Sequence, residues 1–159
     1  MGIEIERKFL LKNDNWRSGN ESGILYRQGY LTIGIESVVR VRIVDQIVKL
    51  TIKGKSEGAK RKEFEYEIPL SDASELLNEI CFKPIIEKYR YKISYKNLIW
   101  EVDEFIGENS GLILAEVELQ DVYQEVAFPD WVGEEVTEDP KYYNSNLVKN
   151  PYKNWTKLY

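Results

Sequence analysis

Histidine is absent from this chain. That removes imidazole from every catalytic scheme, together with Ser-His-Asp and Cys-His nucleophiles and histidine-based zinc sites. Any metal must then rest mainly on carboxylates, the preference of Mg²⁺, Mn²⁺ or Ca²⁺. Cysteine is almost absent. Cys81 stands alone, so no disulfide can form within one chain, which fits a reducing compartment. No apolar run reaches the roughly 20 residues of a membrane-spanning helix, and a start carrying Glu4 and Glu6 is not that of a secretory signal. Proline and glycine are sparse, at 5 and 10 of 159 residues, and no segment is low in complexity. An excess of positive charge is missing too. A net charge of -5 argues against a nucleic-acid partner, while leaving room for a locally basic cavity. Length and composition predict one cytoplasmic domain over residues 1–159, large enough for a real core.

What the chain does have is alternation. Residues 3–11, 25–33, 37–44, 47–53, 61–69, 85–95, 98–105 and 112–120 each read as a strand, with hairpin turns at Asp45-Gln46 and Lys96-Asn97. Gly29 marks a bulge or a close backbone approach. Trp16 anchors an otherwise polar loop, and Gly54 to Lys60 is a charged loop. The period shifts at residues 71–80, which predicts a short helix capped by Ser71. A further short helix is predicted at 121–127. Asp139-Pro140 reads as the start of another over 140–148.

One parity of each strand is apolar, as at Ile5, Phe9, Val39, Val41, Leu50, Ile52, Phe64, Tyr66, Trp100, Val102, Ala115 and Val117. The other is charged, and the signs segregate by strand. Acidic pairs occur at Glu4/Glu6, Glu63/Glu65, Glu101/Asp103 and Glu116/Glu118, and basic pairs at Arg40/Arg42 and Lys88/Arg90. In the first strand Glu4, Glu6 and Lys8 share a face. Two carboxylates so spaced can hold a hard cation, and the lysine beside them an anion that the cation also touches. The residues alone leave two architectures open. One is a sheet whose charged face meets water. The other is a closed ring with that face inward, where burial of both signs makes sense only around water and ions, or around a ligand carrying cation and anion together.

Glu4-Ile5-Glu6-Arg7-Lys8 resembles the Glu-x-Glu-x-Lys signature of the CYTH superfamily, the triphosphate tunnel metalloenzymes. Arg40-Val41-Arg42, Thr51-Ile52-Lys53-Gly54, Glu63-Phe64-Glu65, Glu87-Lys88-Tyr89-Arg90, Glu101-Val102-Asp103 and Glu116-Val117-Glu118 resemble its remaining motifs, in family order. Gly133 to Thr137 and Lys141-Tyr142 are similar to the closing segment of small bacterial members. The resemblance spans essentially the whole chain. It implies a mostly β (α+β) fold: a closed antiparallel eight-stranded β-barrel tunnel with helices packed outside. It also implies divalent-metal chemistry on triphosphates, most simply hydrolysis of inorganic tripolyphosphate to pyrophosphate and phosphate. Adenylate cyclase, nucleoside or thiamine triphosphatase, and a non-catalytic polyphosphate-binding module are the alternatives.

The resemblance further implies roles. Arg40, Arg42, Lys53, Lys88 and Arg90 cradle phosphate oxygens, and Lys8 holds a phosphate near the metal. Lys141 reaches one mouth of the barrel. Glu4, Glu6, Glu101, Asp103, Glu116 and Glu118 are the candidate ligands of Mg²⁺ or Mn²⁺. Glu63, Glu65, Asp103 and Lys8 are the catalytic candidates around an attacking water. Arg61, Lys49, Glu67 and Lys92 are assigned to the rim, and Tyr30, Arg27, Trp131 and Trp155 to structure. Cys81 is a small buried hydrophobe without a catalytic role. The expected partner is a small-molecule triphosphate, with no membrane or nucleic acid involved; a homodimer is compatible with the resemblance.

Overall fold

A computed structural model describes residues 2–19 and 22–155. Alternation at period two makes strands, and the strands pair in one continuous ladder. They are β1 (Ile3–Leu11), β2 (Ile24–Ile33), β3 (Ser37–Val44), β4 (Ile47–Gly54) and β5 (Lys60–Glu67), then β6 (Ile86–Tyr95), β7 (Leu98–Ile106), β8 (Ile113–Glu118) and β9 (Val132–Glu135). The first eight form a closed ring of antiparallel neighbours in the order β1-β5-β4-β3-β2-β6-β7-β8. Closure depends on β1. One of its edges pairs with β8 from Glu6 to Leu10. Its other edge is shared, with β5 taking Ile3 to Ile5 and β9 taking Phe9 and Leu11. Both expected tight hairpins form. Asp45 has φ 52°, and Lys96 and Asn97 have φ 44° and 69°, the left-handed pair that matches strand twist in a two-residue turn.

The barrel's apolar parity faces out and is covered in patches. Phe9, Trp100, Val102, Ala115 and Val117 pack under Trp16, Trp131 and Val132. Val41 and Val48 pack under Ala73, Leu77 and Cys81. The inward parity changes character along the barrel. Its charged rows give way to Tyr30, Val38, Ile86, Phe105 and Leu114, which cluster with Leu147 and Val148. The last two belong to α2 (Asn144–Lys149). That helix therefore seats its apolar residues against one end of the ring.

The local expectations fail where tertiary pairing decides. Residues 71–80 are helical, but α1 (Leu70–Glu75) follows Pro69, with no capping bond from Ser71, and runs on into a π-helical turn over Leu76–Ile80. The predicted helix at 121–127 does not form, and that stretch is turn and irregular chain. The helix predicted over 140–148 is broken into a 3₁₀ turn, Pro140–Tyr142, and α2. Strand β9 was not predicted, because four residues carry too little period to register.

Gly29 is a close approach. A Cβ there would stand 2.8 Å from Leu77 Cδ2 and 2.9 Å from Cys81 Cβ. Gly29→Ala is expected to destabilise the fold by about 1–3 kcal/mol through overpacking. The check is the urea midpoint, and an unchanged midpoint would contradict this packing.

Candidate active site

The ring encloses a cavity of about 330 Å³, and its wall is built from the inward parity of the strands. β1 supplies Glu4, Glu6 and Lys8. β3 and β4 supply Arg40, Arg42 and Lys53. β5 supplies Glu63 and Glu65, β6 supplies Lys88 and Arg90, and β7 and β8 supply Glu101, Glu116 and Glu118. Alternation sets which side chains point in, and the antiparallel register sets which of them meet. Lys53 lies opposite Glu63, and Nζ of Lys53 is 3.5 Å from Glu63 and 3.1 Å from Glu4. Lys8 lies opposite Glu116, at 3.4 Å. Arg90 lies opposite Asp103. It grips that carboxylate with Nε and Nη2 at 2.7 and 2.8 Å, and reaches Glu101 and Glu116 at 3.2 Å each. Arg40 is 3.7 Å from Glu65, and Thr51 donates to Glu65 at 3.0 Å.

Two expected residues are placed elsewhere. Asp103 is 0% exposed. Its oxygens are held by Arg90 and by Lys88 Nζ at 2.7 Å, and it stands behind the cavity lining, not in it. Lys141 does not line the cavity. Its ammonium sits over the Trp155 ring at 4.4 Å and the Tyr142 ring at 5.2 Å. Conversely, Arg61 was read as a rim charge but lines the cavity 3.5 Å from Glu4. Neutral residues were given no place in the lining, and Tyr30 was assigned to structure. Tyr26 lies under Arg42 and Arg90, at 5.0 and 4.8 Å from its ring. Tyr30, Thr137, Tyr143, Asn144 and Ser145 also face the cavity. Strand parity would have found Tyr26 and Tyr30, since they share a face with Gln28. Nothing local points to the tail residues.

The CYTH domain model matches residues 2–150. The chain belongs to the CYTH domain family. It is 53% identical over 155 residues to a protein of Acetivibrio thermocellus named inorganic triphosphatase, covering 98% of this chain and 99% of that one. It is 37% identical over 149 residues to a Nitrosomonas europaea protein of the same name, covering 91% and 96%. A solved crystal structure of an inorganic triphosphatase superposes with a TM-score of 0.65 at 34% identity, covering 91% of this chain and 93% of that one. The triphosphate tunnel enzymes of the CYTH family are metal-dependent.

The electrostatics of this CYTH cavity are unbalanced in both directions. Burial pushes the Glu6 carboxyl up to about 8, helped by the charges of Glu116 and Glu4. Burial and a hydrogen bond to Glu4 raise Glu63 to about 7. Burial opposes ionisation of Glu4 too, yet the Glu63 hydrogen bond and the charges of Lys53 and Arg61 bring it down to about 2. Acidic groups thus share protons where a cation would serve better. On the basic side, burial lowers Arg42 to about 10, and the charges of Arg40 and Arg90 add to that. Lys88 falls to about 7, again chiefly by burial, although Asp103 opposes it. Arg40 Nε is buried without a hydrogen-bond partner.

The donor set fits a hard divalent ion. Glu6 keeps a proton beside the ionised carboxylates of Glu116 and Glu4. No three acidic or thiol side chains among the described residues gather tightly enough to hold an ion alone. Mg²⁺ commonly takes one or two carboxylates and completes its shell with water and substrate phosphates.

Glu6 yields a pH test. Its folded pKa is raised, so the folded chain holds the proton more tightly than the unfolded chain does. Its contribution to stability is complete below the ordinary value of 4.5 and is lost as pH rises through about 8. Without divalent metal, melting temperature should fall more between pH 5 and 8.5 for the wild type than for Glu6→Gln. Parallel curves would remove this assignment.

Proposed function

We infer that this CYTH protein is a metal-dependent triphosphatase that cleaves inorganic tripolyphosphate to pyrophosphate and phosphate. One observation carries the reading. Arg42 lines the cavity deep in the barrel, among the like charges of Arg40 and Arg90, and forms no ion pair with any described carboxylate. The same cavity is lined by an acidic group, Glu4, Glu6, Glu116 and Glu118, with an unmet demand for a cation. A metal-bound triphosphate satisfies both. The names of the two relatives, which the chain matches over nearly their whole length, support the same substrate.

In this reading Arg40, Arg42, Lys53 and Arg61 bind phosphate oxygens on one side of the cavity, while Lys8, Lys88 and Arg90 bind them on the other. The arginines present parallel donors that match a phosphate's oxygens. Glu4, Glu6, Glu116 and Glu118 would hold Mg²⁺ or Mn²⁺, with Glu101 at the margin. The bound ion supplies charge neutralisation and a more acidic water. Glu63, which titrates near neutrality, takes up the proton of the attacking water, with Glu65 beside it on the same strand. A water oxygen forms the new bond to the terminal phosphorus, the bridging P–O bond breaks, and pyrophosphate departs with the electron pair. Asp103 orients Lys88 and Arg90 without touching the substrate. Most of the rate enhancement is positioning and neutralisation of charge on the transferred group.

The reading includes a cytoplasmic setting, in keeping with a lone buried thiol at Cys81. No helix among the described residues is long and apolar enough to cross a membrane.

Phosphate release should be fastest with tripolyphosphate when ATP, GTP and thiamine triphosphate are compared, each with Mg²⁺ and with Mn²⁺. No release above the blank with any of them would overturn the reading, and cyclic AMP from ATP would redirect it to a cyclase. Arg42→Ala is expected to raise KM for tripolyphosphate about ten- to hundredfold, the worth of a hydrogen bond to a charged group. Steady-state kinetics measure it.

A further inference from the structure

Strand β2 faces the charged cavity with neutral side chains, and one of them does not line it. Gln28 is 0% exposed and lies directly opposite Arg42 in the β2–β3 ladder. Its Oε1 accepts from Arg42 Nε at 2.8 Å. Its Nε2 donates to Tyr30 Oη at 3.2 Å and to Asn144 Oδ1 at 3.1 Å. Asn144 is the first residue of α2, and its Oδ1 also accepts from Lys88 Nζ at 2.9 Å. Two amides therefore link Arg42 on β3 to Lys88 on β6, across the strand that separates them.

The choice of an amide has a physical consequence. Lys88 and Arg90 are held by Asp103 and give up part of their charge to it. Arg42 is held by a neutral carbonyl oxygen, so its orientation is fixed while its full charge remains for an anion. Each amide group is used in a way that defines its orientation. Gln28 turns its oxygen to a guanidinium and its nitrogen to two oxygens, and Asn144 Oδ1 receives two donors, the number its lone pairs allow. A buried network satisfied at these atoms is rigid, which is what a preorganised anion cradle requires.

We propose that Gln28, braced by Asn144, is a positioning residue for the triphosphate cradle, a neutral relay that aims Arg42 at phosphate without neutralising it. The relay rests on the triphosphatase reading. It also makes the seating of α2 part of the substrate site, because Asn144 comes from the helix whose Leu147 and Val148 pack against the barrel end.

The test compares Gln28→Glu with Gln28→Leu. Glutamate keeps the size and the acceptor facing Arg42 but adds a charge that pairs with it. Both variants are expected to raise KM for tripolyphosphate with Mg²⁺ about tenfold or more, with kcat within about threefold of wild type. In both variants the loss should fall on KM and spare kcat, a split that a merely structural glutamine would not give. Gln28→Leu combined with Arg42→Ala should bind no worse than Arg42→Ala alone, since the relay acts through Arg42. Wild-type KM in Gln28→Glu, or fully additive losses in the double variant, would overturn the relay while leaving the triphosphatase reading intact. A wild-type protein that neither binds nor cleaves tripolyphosphate would sink that reading, and the relay with it.

Discussion

Charge turned inward is the constraint from which the rest of this structure follows. Lys8, Arg40, Lys53, Lys88 and Arg90 are each exposed by 7% or less. Taking such groups out of water costs several kcal/mol per ion unless opposite charge meets them at close range. The barrel meets that demand by register. At three places the ladder sets a base directly opposite an acid: Lys53 faces Glu63, Lys8 faces Glu116 and Arg90 faces Asp103. A slip of one residue in any ladder would carry a charged row to the outside and an apolar row in.

The balance is nevertheless local and incomplete. Asp103 is committed to Lys88 and Arg90, whereas Glu6 is held neutral by burial and by its acidic neighbours and Arg42 is paired with an amide oxygen instead of a carboxylate. These two imperfections have opposite sign. A salt-bridged core that has closed on itself would leave neither. Exterior and interior also exchange their usual roles. The hydrophobic clusters lie between the barrel's outer face and its covering turns, or at the one end where the inward row becomes apolar and α2 packs.

Much of this was legible in the chain. Segregated i, i+2 pairs such as Arg40/Arg42 and Glu116/Glu118 gave the strands and their sidedness, because alternation is a local property of the pleat; that the charged side turns inward was implied only by the family resemblance. What escaped had non-local causes. Strand β9 exists only because β1 offers an edge left free by β5. Lys141 lies on a tail with no parity to read, and it went to an aromatic ring instead of the cavity. Arg61 carried the right parity, but its pairing with Glu4 depends on the short β1–β5 closure. Gln28 and Tyr26 were overlooked because a search for charge passes over the neutral side chains that hold charge in place.

By itself the sequence determined the eight barrel strands, the sidedness of each, the absence of imidazole chemistry and the family signature, since all of these are written in residue type and spacing. Tertiary structure alone decided which acid faces which base, that Asp103 is buried against Lys88 and Arg90 while Arg42 meets an amide oxygen, and that the tail's Asn144 hydrogen-bonds to Gln28 and Lys88. Those outcomes depend on ring closure and register, which bring together residues more than a hundred positions apart, such as Gln28 and Asn144, and no local pattern encodes that meeting.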